Sequence, residues 1–122
     1  MRAQGGDMNH KDLEAWKQAM LLVEEVYKVS AAFPGNEVYG LTSQVRRAAV
    51  SVPSNLSEGA ARNGKKEFCN FLGISLGSLA ELETQLIIAS RLGYAEISEL
   101  LSSINHVRAL IIGLRHYISR RN

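Results

Sequence analysis

A single cysteine, Cys69, leaves no second thiol for an internal disulfide, which fits a reducing compartment. It stands beside Phe68 on a helical face, so a buried and inert thiol is expected. Only two prolines and an aromatic content of 7% leave little all-β character. No apolar run approaches the ~18 residues of a membrane span; the longest near-apolar stretch is Ala109 to Leu114. The N-terminal MRAQGGDMNHKD has no apolar core resembling a signal peptide. These absences make a soluble cytoplasmic protein with no membrane partner the expectation.

Strong charge of one sign is also missing. The formal net charge is +2, so the whole chain makes no case for nucleic acid. Its distribution says more. Arg46, Arg47, Arg62, Lys65 and Lys66 share a stretch with one acid, Glu58, and Arg108, Arg115, Arg120 and Arg121 share another with none after Leu100. Acids collect instead between Lys11 and Glu25 and between Glu81 and Glu99.

Hydrophobic residues make up 46% of the chain, enough for one globular core at this length. Polar, glycine-rich residues 1–10 read as a loose leader, with Met8 as an alternative start. Residues 11–119 read as one domain and residues 120–122 as a basic tail.

Helical spacing recurs four times. A first helix is predicted over 11–32, with Leu13, Trp16, Met20, Val23 and Tyr27 inward, ending at Phe33-Pro34-Gly35-Asn36. A second over 37–63 has Leu41, Val45, Ala49, Val52, Leu56 and Ala60 inward, with Asn63-Gly64 as its stop. A third over 65–91 has Phe68, Leu72, Ser75, Leu79, Leu82, Leu86 and Ala89 on its seam and Gly93 as a cap. The fourth, 95–119, turns Ile97, Leu101, Ile104, Val107, Ile111, Leu114 and Ile118 inward. No strand or hairpin pattern competes. Similar lengths and short links predict an all-α, antiparallel up-down-up-down four-helix bundle, its second helix kinked at Pro53. Leu22, Val26 and Val29, Phe71 and Ile74, and Leu110 and Ile112 widen the stripes. That width fits either broad globular helices or a second surface for self-association.

Chemistry-bearing motifs are scarce. A di-metal bundle needs Glu-x-x-His pairs facing inward, yet Ser103 precedes His106 and Gly113 precedes His116 at that spacing. Asp7 and His10 have an acidic version of it, in the leader. No phosphate loop or nucleophile elbow occurs. The expectation is no enzyme activity, no cofactor and no metal.

A polar set surrounds Pro53. Ser51, Asn55, Glu58 and Gly59 lie on the second helix; Gly77, Ser78, Glu81 and Gln85 lie on the third, where Gly77-Ser78 would allow close helix approach. Glu58 and Arg62 stand in the acid-first i,i+4 order of a helix ion pair. The set reads either as an interhelical hydrogen-bond network or as a ligand or subunit contact. Arg46, Arg47, Arg62, Lys65 and Lys66, with Arg108 and Arg115, are candidates for phosphate contact. No aromatic residues interleave with them for base stacking.

The run Phe33-Pro34, Glu37, Tyr39-Gly40-Leu41, Gln44, Arg46-Arg47-Ala48, Ser51-Val52-Pro53, Asn55, Glu58-Gly59 resembles bacterial four-helix-bundle proteins called intervening-sequence proteins of the large-subunit ribosomal RNA. Asp12-Leu13 and Trp16 upstream, and Gly77-Ser78, Glu81-Leu82-Glu83 and Gln85 downstream, continue the pattern. Leu56-Ser57 departs from it, where members often have Ile-Ala. The resemblance implies a bundle assembling as a ring, commonly a homopentamer. The chain is also similar to the accessory protein of diversity-generating retroelements, a basic pentameric bundle that binds nucleic acid and a reverse transcriptase. Two roles follow as expectations: an oligomer holding RNA or DNA, or a scaffold for a protein such as a reverse transcriptase.

Overall fold

A computed structural model describes residues 9–121. Four helices, α1 (Glu14–Ser30), α2 (Leu41–Ala60), α3 (Lys65–Arg91) and α4 (Ser98–Arg120), are joined by short turns, with no strand among the described residues. The all-helical fold is as the periodicity predicts. Residues 1–8 of the expected leader, with Asp7 and Met8, lie outside the described residues, as does Asn122. Asn9 and His10 belong to the folded part: His10 meets the Trp16 ring edge-on at 5.3 Å, and the Asn9 side chain accepts from Lys11 N at 3.0 Å.

Helix ends differ from expectation where side chains compete for the first backbone amides. α2 begins at Leu41 because Glu37, in a 3-10 turn at Gly35–Glu37, swings its carboxylate back to accept from Leu41 N at 2.9 Å. Glu96 does the same for α4, accepting from Ser98 N and Ser98 Oγ at 2.8 and 2.9 Å. Each carboxylate satisfies an orphan donor at the positive helix end. Gly64 has φ −129 and leads into α3, so it opens that helix instead of closing α2 in the left-handed form. Gly93 does close α3: its φ is +82. Tyr94 N donates to Ala89 O and Gly93 N to Ser90 O, the paired bonds of a Schellman ending.

Helices pack in the cyclic order α1, α2, α3, α4 and back to α1, with α1 diagonal to α3 and α2 diagonal to α4 across the shared core. Side-chain partners along α2 and α3 run in opposite order: Ser51 meets Ser78, while Gly59 meets Phe68 and Phe71. α3 and α4 do likewise, with Glu83 on Arg108 and Lys65 on Ser119. The predicted inward residues of α2 and α3 are all buried. On α4, Leu101 and Leu114 are half-buried and Leu100 takes a core position.

α1 is rotated from the expected seam. Ala15, Ala19, Leu22, Val26 and Ser30 are buried, while Met20 and Tyr27 are exposed. The two spacings differ by about a third of a turn, and the alanine stripe admits closer helix approach. Trp16 and Val23 flank the core. Cys69 is half-buried, not buried.

α3 also corrects the membrane argument from apolar runs. An 18-residue window of it has mean hydropathy 1.3, so by length and composition it could cross a membrane, though 39% of that window is buried inside this bundle. Within that window charges number at most two, and uncharged polar residues such as Ser75, Ser78, Thr84 and Gln85 interrupt the apolar ones, a pattern that a search for unbroken apolar runs overlooks.

Candidate nucleic-acid interface and polar seam

The polar residues of α2 and α3 form a ladder between the helices. Ser51 Oγ and Ser78 Oγ lie 2.8 Å apart. Asn55 Nδ2 donates to Ser51 O at 2.8 Å and Ser51 Oγ at 3.0 Å. Deeper, Ser75 Oγ donates to Val52 O at 2.9 Å. Helical assignment continues through the buried Pro53. Proline there removes the amide that would serve Ala49 O, yet the side-chain donors fall on the following carbonyls, Ser51 and Val52.

Glycines divide sharply. A Cβ on Gly59 would stand 2.9 Å from Phe71 Cβ and 3.0 Å from Phe68 Cδ1, so α2 and α3 touch through it. Gly77 has open space where a side chain would project; close approach of α2 and α3 therefore does not depend on it. Ser78 is in the ladder, Glu81 is exposed, and Gln85 is buried with its Oε1 lacking a hydrogen-bond partner. Arg47, Ser51, Glu81 and Gln85 line one open recess of about 260 Å³.

The seven cationic candidates do not gather on one surface. Arg46 is engaged within the fold: Nε donates to Ser30 Oγ at 2.8 Å and Nη2 to Tyr27 O at 3.3 Å, with the guanidinium 4.5 Å above the Tyr27 ring. Arg108 Nη2 pairs with Glu83 at 2.6 Å, and Nη1 donates to Asn105. Arg47 is exposed beside the recess. Arg62 lies 16 residues beyond Arg46 on the α2 side, about 24 Å along a helix axis.

A second group shares the opposite end of the bundle, where α2 leads into α3 and α4 finishes. Arg62 pairs with Glu58 at 2.7 Å and lies 5.0 Å over Phe71. Lys65 Nζ donates to the carbonyls of Ser119 and Arg121 at 3.4 and 2.6 Å, which places a cation on the negative end of α4. Lys66 is exposed, and Arg115 lies along Gly73, its Nη2 3.3 Å from where a Cβ would stand. Arg120 and Arg121 belong to the same end, the latter 5.7 Å over Tyr117. They were not among the sequence candidates, although the acid-free stretch after Leu100 is their signal. Segments 58–67 and 115–121 together carry six Lys and Arg, with Glu58 and Glu67 as their acids.

Glu37, quoted above only as part of the family-like run, has a structural role that the sequence did not assign. Its pKa is lowered, first by the Leu41 amide and then by the Tyr94 hydroxyl, which donates to Oε2 at 2.9 Å. The same contact raises the Tyr94 pKa. The two fasten the α1–α2 connection to the α3–α4 connection. Glu96 is lowered by the Ser98 amide and then the Ser98 hydroxyl. Among the described residues no three His, Cys, Asp or Glu side chains gather.

Four packed helices, a partly buried serine ladder and one basic end define a helical bundle whose polar groups serve mainly to join its own elements. The chain belongs to the family of 23S rRNA-intervening sequence proteins, whose sequence model matches residues 11–113. The match spans α1 to α3 and most of α4, and stops before Arg115. A comparison with curated proteins gives no match.

Proposed function

We propose that this protein is a non-enzymatic, cytoplasmic, self-associating bundle that holds nucleic acid, RNA or DNA, on its basic end. The observation that carries this reading is the clustering of Arg62, Lys66, Arg115, Arg120 and Arg121 where α2, α3 and α4 meet. Family membership is compatible with a role connected to ribosomal RNA. Five copies is the number the family resemblance implies, and a ring would repeat the basic end around its axis. Of the candidate set, Lys66 and Arg115 fit phosphate contact best; Lys65 supports them by securing α4, while Arg46, Arg62 and Arg108 have intramolecular partners, Arg62 with the exposed Glu58. A titration of labelled RNA and DNA at rising salt tests this: binding should weaken steeply because releasing condensed counterions gains less entropy as the salt concentration rises. No binding to either at low salt would overturn it.

A second reading is favoured by exposed apolar side chains on the outer face of α3, where Ile74 and Ile88, 50% and 44% exposed, stand one heptad either side of Glu81. Such a face suits a protein partner, and the resemblance implies a reverse transcriptase. Capture of a purified reverse transcriptase, unaffected by nuclease, would support it; absence of capture would leave the first reading alone.

A further inference from the structure

Aromatic side chains at the basic end are mostly spent on packing. Phe68 is buried, Phe71 is half-buried against Gly59, and Trp16 flanks the core beneath the edge of His10. Tyr117 differs: it is 58% exposed. The cations at 46–66 have no aromatic interleaved in sequence, yet the fold brings this one to their end from α4.

The surroundings of Tyr117 suit a stacked, negatively charged strand. Arg120 and Arg121 stand within one turn after it, and no acid follows Leu100. Arg121 lies 5.7 Å from the ring centroid, near the ~6 Å outer limit of a cation–π contact, so its guanidinium can exchange the ring for a phosphate at small cost. Its backbone is held in place, since Lys65 Nζ donates to Arg121 O at 2.6 Å. A helical side chain leans toward the preceding turn, which sets the Tyr117 ring over Gly113. Open space stands there where another residue would carry a side chain.

The opposite end offers a contrast. Tyr39 is 96% exposed, but segments 24–47 and 91–99 at that end carry four Lys and Arg against five acids. Segments 9–17, 58–67 and 115–121 carry eight against four. Exposed ring and surplus positive charge therefore coincide at Tyr117 alone of the two. The family match ends at Gly113, so Tyr117 and its arginines are features of this chain.

We propose that Tyr117 is a stacking platform for an unpaired base, which makes the basic end a site for single-stranded nucleic acid. The base lies on the ring where Gly113 leaves space, and Arg120 and Arg121 take the adjoining phosphates. This rests on the nucleic-acid reading of the same end and narrows it to strands whose bases are free to stack.

Fluorescence anisotropy with three labelled probes of equal length tests the stack: an oligothymidylate, its duplex with oligoadenylate, and an abasic strand that keeps only the sugar-phosphate chain. Wild type should bind the oligothymidylate about tenfold tighter than the abasic strand, the gain expected of a base on an aromatic ring. Tyr117→Leu should remove that gain and leave abasic and duplex binding as in wild type. Its salt slope should also hold, because no phosphate contact is lost. Tyr117→Phe should bind as wild type does. Circular dichroism checks that each variant is helical; should Tyr117→Leu not fold, Gly113→Leu, which fills the space beside the ring, should bring the same selective loss. Equal binding of oligothymidylate and abasic strand by wild type, or an equal loss on all three probes in the folded variant, would overturn the stack and leave nucleic-acid binding standing. No binding of any probe at low salt would overturn both.

Discussion

Ser75 on α3 donates its hydroxyl to the backbone carbonyl of Val52 on α2 at 2.9 Å, and neither residue touches solvent. The bond joins α2 and α3 one residue before the proline. It joins sequence to packing directly: a serine on an otherwise apolar seam is tolerated because a neighbouring helix supplies its acceptor.

Ser75→Ala removes that donor without altering the volume greatly. A buried, neutral hydrogen bond contributes about 1 kcal/mol net, so urea unfolding should show a loss of that order. Ser78→Ala should cost less, since Ser51 Oγ keeps the Asn55 donor at 3.0 Å. Equal losses at the two positions would contradict the ranking by burial.

Gly59→Ala and Gly77→Ala should move stability in opposite directions. Both replace a helical glycine, which by propensity alone favours alanine by about 1 kcal/mol. At Gly59 the new methyl meets Phe71 Cβ at 2.9 Å, and overpacking of that kind costs about 1–3 kcal/mol. Gly77 opens on empty space, so the propensity gain remains. Thermal melts of the dilute chain should place Gly59→Ala below wild type and Gly77→Ala above it.

These glycines also mark where sequence reading succeeds and where it stops. Helix existence was legible because apolar residues repeat at three and four steps over long segments, and α3 was bounded as found, Lys65 to Arg91. α2 and α4 begin three or four residues late because Glu37 and Glu96 cap from within the preceding turns, a choice spacing does not encode. The α1 seam was misplaced since two stripes, one large and one small, both have helical period. For the candidate site, residue type identified cations but not their partners. Arg46 looked free beside Arg47, yet it faces Tyr27 and Ser30 across the α1–α2 turn. The two glycines are chemically identical in sequence; only the neighbouring helix separates them.

The Glu37 carboxylate should give the fold an acid-sensitive contribution. Its folded pKa lies below the ordinary 4.5 because the Leu41 amide, then the Tyr94 hydroxyl, favour the charged form. A lowered carboxylate pKa adds stability above the unfolded value and loses it as pH falls through the folded one. Melting temperatures of wild type and Glu37→Gln should therefore differ most near neutral pH and converge below about pH 4.5. A gap that stays constant into that acid range would show that the charge contributes nothing beyond the hydrogen bonds glutamine can keep.

Arg46 and Lys66 should separate stability from binding. Arg46→Gln breaks the bonds to Ser30 Oγ and Tyr27 O and the contact with the Tyr27 ring. A charged donor lost from partly buried acceptors costs about 1–3 kcal/mol, while the salt dependence of nucleic-acid binding should stay as in wild type. Lys66 is exposed at the basic end, so Lys66→Gln should leave urea unfolding almost unchanged. If Lys66 contacts a phosphate, its loss lowers the slope of log affinity against log salt by about one. Binding isotherms at several salt concentrations measure that slope for both variants. A slope that falls for Arg46→Gln and holds for Lys66→Gln would move the interface to the other end of the bundle, since the two residues sit at opposite ends of helices that pack along their length.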